Sequence, residues 1–280
     1  MLQSNRFSGA ENVVIQIISM LKNDNYEFVY SSQDGQIRDV LNEKGVRFSP
    51  IKEMSISEFR RVIREEKPDI IHAHDMKASL YAALVCGKTP FISHIHNNNF
   101  DSRGLSMKSM AYMIAAQKAK HIFWVSNSSY SGYIFHDFFK KKSSVLYNTI
   151  DADALKQKMS MDKNKYNYDV IYLGRLTYQK NPQRMIDVLC KFLQKCPEAK
   201  IAVIGAGDLE SEIQELVKKR GIENQVDLFG YMTNPLKCLH DSKVMLMTSR
   251  WEGTPMCVLE AMALGVPIVS TPTDGIKDIV

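Results

Sequence analysis

A two-domain α/β chain, each half built on a doubly wound parallel sheet, is the fold class that the sequence predicts. Three observations lead there. Short β-rich runs alternate with helix-period segments almost throughout, the signature of parallel strands joined by crossover helices. At 280 residues the length suits two domains of ordinary size. Between Asn148 and Tyr168 the chain turns polar, with Lys156, Lys158, Asp162, Lys163, Asn164 and Lys165, before an apolar run begins at Val170. We therefore expect one domain over residues 1–149 and a second over 150–280, two doubly wound units facing each other across a cleft.

The elements follow in order. Ser8-Gly9-Ala10-Glu11 has capping-box spacing and opens a helix with an apolar face at Val14, Ile17, Ile18 and Leu21. Strands are expected at Tyr26 to Tyr30, Val46 to Phe48, Ile70 to His74, Phe91 to His96, His121 to Val125 and Val145 to Tyr147, with helices between them. The second half repeats the alternation: strand at Val170 to Leu173, helix at Gln183 to Cys196, strand at Ile201 to Ile204, helix at Leu209 to Arg220, then strands at Val226 to Phe229 and Val244 to Met247. Only Met1 to Phe7 precede the first helix, and the chain stops at Ile276-Lys277-Asp278-Ile279-Val280 where a helix should start. The first strand and the C-terminal helices of a complete doubly wound pair are thus expected to be missing.

Apolar residues make up 45% of the chain, enough for two cores. No run reaches the ~20 apolar residues of a membrane span, and no signal peptide is visible. The five cysteines, Cys86, Cys190, Cys196, Cys238 and Cys257, are odd in number and lack C-x-x-C or metal-ligand spacing, which points to reduced thiols and a cytoplasmic location. The net charge of +5 lies wholly in the first half, where 19 Lys and Arg face 14 Asp and Glu over residues 1–150, against 17 and 17 over 151–280. The clusters Arg60-Arg61-Val62-Ile63-Arg64 and Lys140-Lys141-Lys142 can attract an anionic membrane or a diphosphate-linked acceptor, or simply face solvent. No basic stripe interleaved with aromatics appears, so nucleic acid is not an expected partner.

The segment Ser249-Arg250-Trp251-Glu252-Gly253-Thr254-Pro255-Met256-Cys257-Val258-Leu259-Glu260 sets two carboxylates eight residues apart across a strand exit and a helix start. Thr254 reads as N-cap and Pro255 as first helical residue, leaving the N–H groups of Met256, Cys257 and Val258 free to attract phosphate. Glu252, in the loop beside them, can accept from sugar hydroxyls. Glu260, one turn into the helix, can accept from a vicinal diol such as ribose. That combination suggests a nucleotide sugar.

Upstream, Tyr172-Leu173-Gly174-Arg175 leads through Lys180 to Asn181 and Pro182, an N-cap and first helical residue, so two cations lie beside a positive helix end. Ile201 to Ile204 followed by Gly205-Ala206-Gly207 is a strand with G-x-G, but Glu210 stands where a dinucleotide fingerprint needs its third glycine. In the first half, His72 sits in Asp69-Ile70-Ile71-His72-Ala73-His74-Asp75, and His94 and His96 fall on one side of their strand by alternation, ahead of Asn97-Asn98-Asn99. Core packing and ligand contact both remain open for these histidines. Asp151-Ala152-Asp153 spells the D-x-D of metal-dependent transferases but lies in the linker, so no metal is expected. No Ser or Cys nucleophile stands at recognised spacing from His and Asp.

The E-x7-E segment, continued by Ala261-Met262-Ala263-Leu264-Gly265-Val266-Pro267, and the Gly174-Arg175 to Lys180-Asn181 segment together resemble the donor site of family 4 glycosyltransferases, which have the GT-B fold of two facing Rossmann-like domains. The resemblance covers essentially the whole chain. Ser93 to Phe100 also looks like transferases of exopolysaccharide or capsule assembly. The family implies retaining, metal-independent hexosyl transfer without a cofactor, from a nucleotide-diphosphate sugar, UDP-sugar first, to a saccharide or polyprenyl-diphosphate-linked acceptor at the inner face of the cell membrane. It implies that Arg175 and Lys180 support the diphosphate, Glu252 orients the sugar, Glu260 holds ribose and His96 contacts the sugar. By the same resemblance Gly9, Gly205 and Gly207 let backbone approach the donor, Gly230 and Tyr231 meet the base, and Gly253, Thr254, Pro255, Met256, Cys257 and Val258 form the helix-start cradle. Ser8 and Thr149 stand where relatives carry glycine. The readings kept beside it are an inactive GT-B fragment that binds sugar nucleotide or a partner, a GT-B epimerase or phosphorylase, and, more distantly, an NAD-dependent oxidoreductase.

Overall fold

The structure is a computed structural model that describes residues 1–2, 9–21, 25–97, 100–277 and 279. It divides into two compact units, Met1–Asn148 and Thr149–Val280. Ser8, and with it the capping box expected ahead of the first helix, lies outside the described residues, as do Asn98 and Asn99.

The first unit runs α1 (Gly9–Leu21), β1 (Val29–Tyr30), α2 (Ile37–Glu43), β2 (Arg47–Phe48), α3 (Ile56–Glu66), β3 (Ile71–His74), α4 (Asp75–Val85), β4 (Phe91–Ile95), α5 (Met107–Lys118), β5 (His121–Trp124), α6 (Asn127–Ser131) and β6 (Ser143–Val145), with 3-10 turns at Phe100–Ser102 and His136–Lys142. Strands β3 to β6 form one parallel sheet in sequence order, and β1 pairs with β2 in another. Met1 and Leu2 tie the two together. Leu2 N donates to Ser31 O at 3.0 Å and His74 N to Met1 O at 2.9 Å, while the Met1 amine donates to His72 O at 2.7 Å. Burial pulls that amine down to about 5. Met1 and Leu2 thus lie between β1 and β3, and the rest of the segment before α1 is outside the described residues.

Helix α1 buries Val13, Val14, Ile15 and Ile18. Leu21, expected on that face, is exposed because the whole last turn from Ser19 stands in solvent. The core of the larger sheet is aromatic on one side: Tyr112, Trp124 and Tyr133 are all buried, with ring centroids 5.1 Å apart for Tyr112–Tyr133 and 5.8 Å for Trp124–Tyr133. Helix α5 starts on a capping box between Ser106 and Ser109 and ends where Lys142 Nζ donates to Gln117 O and Ala119 O.

The second unit runs α7 (Ala152–Ser160), β7 (Tyr168–Leu173), α8 (Pro182–Leu193), β8 (Ile201–Ile204), α9 (Glu210–Lys219), β9 (Val226–Gly230), α10 (Leu236–His240), β10 (Ser242–Met247), α11 (Met256–Ala263), β11 (Ile268–Ser270) and α12 (Asp274–Lys277). The polar stretch read as a linker holds a helix. Asp151 Oδ1 accepts from Asp153 N at 3.1 Å and Ala154 N at 2.9 Å, so the D-x-D sequence is the N-cap of α7.

The sheet of this unit is parallel throughout, in the order β11-β10-β7-β8-β9. From β7 the chain winds outward through β8 and β9, then crosses back to lay β10 on the other side of β7. The winding therefore reverses between β7 and β10, and at such a switch point the loops leaving two neighbouring strands diverge and open a crevice. Both E-x7-E and the Arg175 to Asn181 segment leave these two strands. Ile171 in β7 is fully buried and pairs with Met245 of β10 and Ala202 of β8. We predict that Ile171→Ala destabilises the protein by ~2–5 kcal/mol, read as a lower urea midpoint at unchanged m-value.

Candidate active site

The site grows from the two loops at the switch point. After β7, the chain turns through Thr177, whose carbonyl accepts from Lys180 N at 3.0 Å and Asn181 N at 3.1 Å. Asn181 then takes a left-handed conformation (φ 53°) and Pro182 opens α8, with no side-chain cap bond. The Asn181 side chain is used elsewhere: its Oδ1 accepts from Arg250 Nη2 at 2.9 Å. Arg250 also donates from Nε to Tyr178 O at 3.1 Å and from its backbone N to Gln179 O at 2.8 Å, with its guanidinium 4.3 Å from the Tyr178 ring centre. Thr248 Oγ1 donates to the carbonyls of Lys180 and Asn181, and Gln179 Nε2 to Trp251 O. The loops after β7 and β10 are thereby sewn into one body. Arg250, which makes several of these bonds, is a positioning residue that the sequence signals only as an arginine between a strand and Glu252.

Held this way, Lys180 Nζ lies 2.7 Å from Glu252 Oε1, with side-chain exposures of 12% and 6%. Burial pulls the Lys180 ammonium down, but the charge of the Glu252 carboxylate and its hydrogen bond offset it, leaving the lysine above its ordinary range. Arg175 is exposed and within reach of Gln179 Oε1 at 3.5 Å. Burial raises Cys257 to about 11, so this thiol stays protonated at neutral pH and is no nucleophile. Burial also raises the Glu260 carboxyl, against the pull of Lys158.

Two expectations about α11 need correcting. Pro255, with ψ 122°, is still extended and occupies the N-cap position, so the helix begins at Met256 and Thr254 lies one residue too early to cap it. The N–H of Val258 is not free either: it donates to Pro255 O at 3.1 Å, a first turn tightened in 3-10 fashion. Met256 and Cys257 remain as the amides of that helix start.

The glycines act by close approach. Gly205 has φ +143°, and a Cβ there would fall 1.9 Å from Gly174 O; at Gly207 it would fall 2.3 Å from Leu176 O. Leu209 N and Leu176 N complete the contact through Leu176 O and Ala206 O. The G-x-G turn is filled by the neighbouring loop's backbone, and Glu210 opens α9, so nothing here favours a dinucleotide. Gly230 O accepts from Gly205 N at 2.7 Å, and Tyr231 beside it is 60% exposed. A Cβ on Gly275 would sit 1.7 Å from Gly253 O, so the Glu252–Gly253 turn is backed directly by α12.

Two expected residues lie in the first unit. Gly9 is the exposed first residue of α1. His96 follows β4, buried, with Nε2 2.8 Å from His74 Nδ1 and its backbone N donating to Asp75 Oδ1 at 3.0 Å. Burial and the neighbouring His72 lower its ring to about 3, so it is an uncharged imidazole at neutral pH.

The first unit matches the model of Glycosyltransferase Family 4 over residues 7–154, and the second that of Glycosyl transferases group 1 over residues 153–280. The chain belongs to glycosyltransferase family 4. An uncharacterized glycosyltransferase of Methanocaldococcus jannaschii is 31% identical to this family 4 chain over 232 residues, covering 75% of the chain and 57% of the relative, so the chain spans little more than half of that protein. The amylovoran biosynthesis glycosyltransferase AmsD of Erwinia amylovora is 27% identical over 289 residues, covering 96% and 80%. A UDP-Gal:alpha-D-GlcNAc-diphosphoundecaprenol alpha-1,3-galactosyltransferase of Escherichia coli is 23% identical over 300 residues, covering 96% and 77%. The crystal structure of Anabaena HepE in complex with UDP and glucose superposes with a TM-score of 0.83 at 20% identity, covering all of this chain and 82% of that one. The fold is accordingly GT-B, two Rossmann-like α/β units.

Breaking the buried pair from one side strands a charge. Lys180→Met is expected to cost ~3–5 kcal/mol in urea unfolding at pH 7, and Lys180→Met combined with Glu252→Leu to recover most of it. A double variant no more stable than the single one would show that the pair is not the source of the loss.

Proposed function

We propose that this family 4 protein is a retaining transferase that moves a hexose from a nucleotide-diphosphate sugar, UDP-sugar first, to a saccharide or polyprenyl-diphosphate-linked acceptor in cell-surface polysaccharide assembly. The observation that carries the reading is the buried Lys180–Glu252 pair at the β7–β10 switch point, with Arg175 on the same loop and the Met256 and Cys257 amides at the neighbouring helix start. The Escherichia coli relative is named for a UDP-sugar donor and a diphosphoundecaprenol acceptor, and the HepE structure holds UDP and glucose.

In this reading the diphosphate enters beside Lys180 and Arg175. The lysine exchanges part of its bond with Glu252 for phosphate oxygen, and the carboxylate becomes free to accept from sugar hydroxyls. As the bond between the anomeric carbon and the diphosphate oxygen breaks, that oxygen gains charge, so the two cations favour the transition state over the ground state. The acceptor oxygen bonds to the same carbon on the face the diphosphate leaves, and its proton passes to the departing phosphate. Glu260, kept nearer neutral by burial, holds ribose hydroxyls, Tyr231 meets the base, and His96 of the first unit serves the sugar. No nucleophile of the protein is needed.

Contact with an anionic membrane belongs to the same reading, but its site shifts. Among the basic clusters, Arg61 is bound to Glu58 and Glu65, and Lys142 caps α5. Toward the other end of that helix, α5 and the turn before it expose Leu105 (76%), Met107 (85%), Met110 and Ile114, with Lys108 among them. Met107, Met110 and Ile114 share one helical face, an apolar stripe with basic flanks suited to lying in a headgroup layer. With reduced cysteines and a nucleotide-sugar donor, the location we propose is the cytoplasmic face of the membrane. No helix among the described residues is long and apolar enough to cross it.

Given a UDP-sugar and a polyprenyl-diphosphate saccharide, the protein is expected to release UDP. Arg175→Ala, at an exposed position, and Glu252→Gln should each lower kcat at least tenfold, about 1.4 kcal/mol, with Arg175→Ala leaving the melting temperature unchanged. Full turnover in both variants would remove the assignment; donor binding without UDP release in the wild type would favour an inactive sugar-nucleotide binder. Separately, Met107→Glu with Met110→Glu should abolish sedimentation with phosphatidylglycerol vesicles, and unchanged sedimentation would sink the α5 contact.

A further inference from the structure

Two pairs of histidines meet on neighbouring strands of the first unit. β3 carries His72 and His74, β4 carries His94, and His96 follows it; the parallel register sets His74 opposite His94. The ring centroids of His72 and His94 lie 5.5 Å apart with planes 8° from parallel, and those of His72–His74 and His94–His96 lie 4.2 and 4.3 Å apart. One ring nitrogen from each of His72, His74 and His94 lies within 4.8 Å of the other two. Among the four rings, His74 Nδ1 and His96 Nε2 are hydrogen-bonded to each other at 2.8 Å. His72 Nε2 and both nitrogens of His94 are buried with no hydrogen-bond partner. Folded proteins satisfy nearly all buried polar atoms, and a group of adjacent unsatisfied ring nitrogens asks for a reason.

We propose that His72, His74 and His94 bind a divalent transition-metal ion, Zn2+ in first place, bridging β3 and β4. Three imidazoles with no carboxylate among them suit Zn2+, Co2+, Ni2+ or Cu2+ and not Mg2+ or Ca2+. Three protein nitrogens with a fourth position open to water or another ligand is a set that zinc accepts. Bonds of ~2.1 Å place the nitrogens of a tetrahedral site about 3.4 Å apart, so binding requires the rings to turn and draw inward from their present spacing. With Nδ1 turned to His96, His74 is left with Nε2 as its donor, and His96 becomes the outer partner that fixes the ring. The proposal concerns the first unit and does not involve Lys180 or Glu252; His96 is the one residue it shares with the transfer chemistry proposed above.

Titration calorimetry of the tag-free protein, stripped with chelator and then given ZnCl2, is expected to show a single saturable site. Co2+ should produce the intense visible absorption of a four-coordinate site without the near-ultraviolet band of thiolate ligation. His72→Ala and His94→Ala should each weaken Zn2+ binding at least ~tenfold, whereas His240→Ala, at an exposed position of the second unit, should not change it. If both core variants fail to fold, the cobalt spectrum of the wild type decides. Absence of saturable binding, a thiolate band, or undiminished affinity in a folded His94→Ala protein each overturns the proposal.

Discussion

A lysine ammonium and a glutamate carboxylate persist out of water at one end of the second sheet because each is the other's counter-ion. Desolvating either alone costs several kcal/mol, and the 2.7 Å contact between Lys180 and Glu252 is what offsets it. That requirement reaches back into the topology. The two residues stand 72 apart in sequence, and only a sheet that lays β10 directly against β7 can bring their loops to one place. It also sets the state of the site before any ligand arrives: the deeper cation is already neutralised, while Arg175 stays exposed. Under the proposed function, an arriving diphosphate takes over part of the lysine from Glu252, and the sugar hydroxyls meet the carboxylate in its place.

Steric constraints do the rest of the positioning. Gly205 and Gly207 admit the backbone of the β7 loop at distances that no side chain would allow, and Gly275 does the same for Glu252–Gly253. Loops packed backbone to backbone have little freedom to drift. The Arg250 contacts to Asn181, Tyr178 and Gln179 add direction to that rigidity. Geometry held before substrate binds is the condition for electrostatic catalysis, because nothing then has to reorganise as charge develops.

What the sequence disclosed follows from where each signal resides. The alternation of strand and helix, the Asn181-Pro182 helix start and the residues that pair as Lys180 and Glu252 are local patterns, and local patterns survive without a structure. The family and the GT-B fold were legible for the same reason, since both rest on contiguous segments. What escaped was decided by tertiary partners. The polar stretch after Asn148 hid α7, because a helix burying only Leu155 shows almost no apolar face. Strand β11 is a three-residue edge, too short to carry a period. Pro255 reads from sequence as the first residue of α11 but stands at its N-cap, since the two positions share their favoured residues and only ψ separates them. Asn181 has the side chain of an N-cap, but Arg250, contributed by another strand's loop, claims its oxygen.

The histidines make the same point from the other side. H-x-H in one strand means little, since alternation merely puts both rings on one face. Its meaning changes when a neighbouring strand in register presents a second such pair, and register is a property of pairing that no single segment encodes. The structure then shows what the pattern alone cannot: buried ring nitrogens side by side without partners. In the second unit the hydroxyls of Thr177, Ser249 and Thr273 are likewise buried and unpaired, and they fall in the loops that follow β7, β10 and β11. Each such atom costs about 1–3 kcal/mol if nothing else ever meets it. A fold that leaves them at the carboxyl ends of its strands, where open α/β sheets receive their ligands, keeps stability in reserve for the moment of binding.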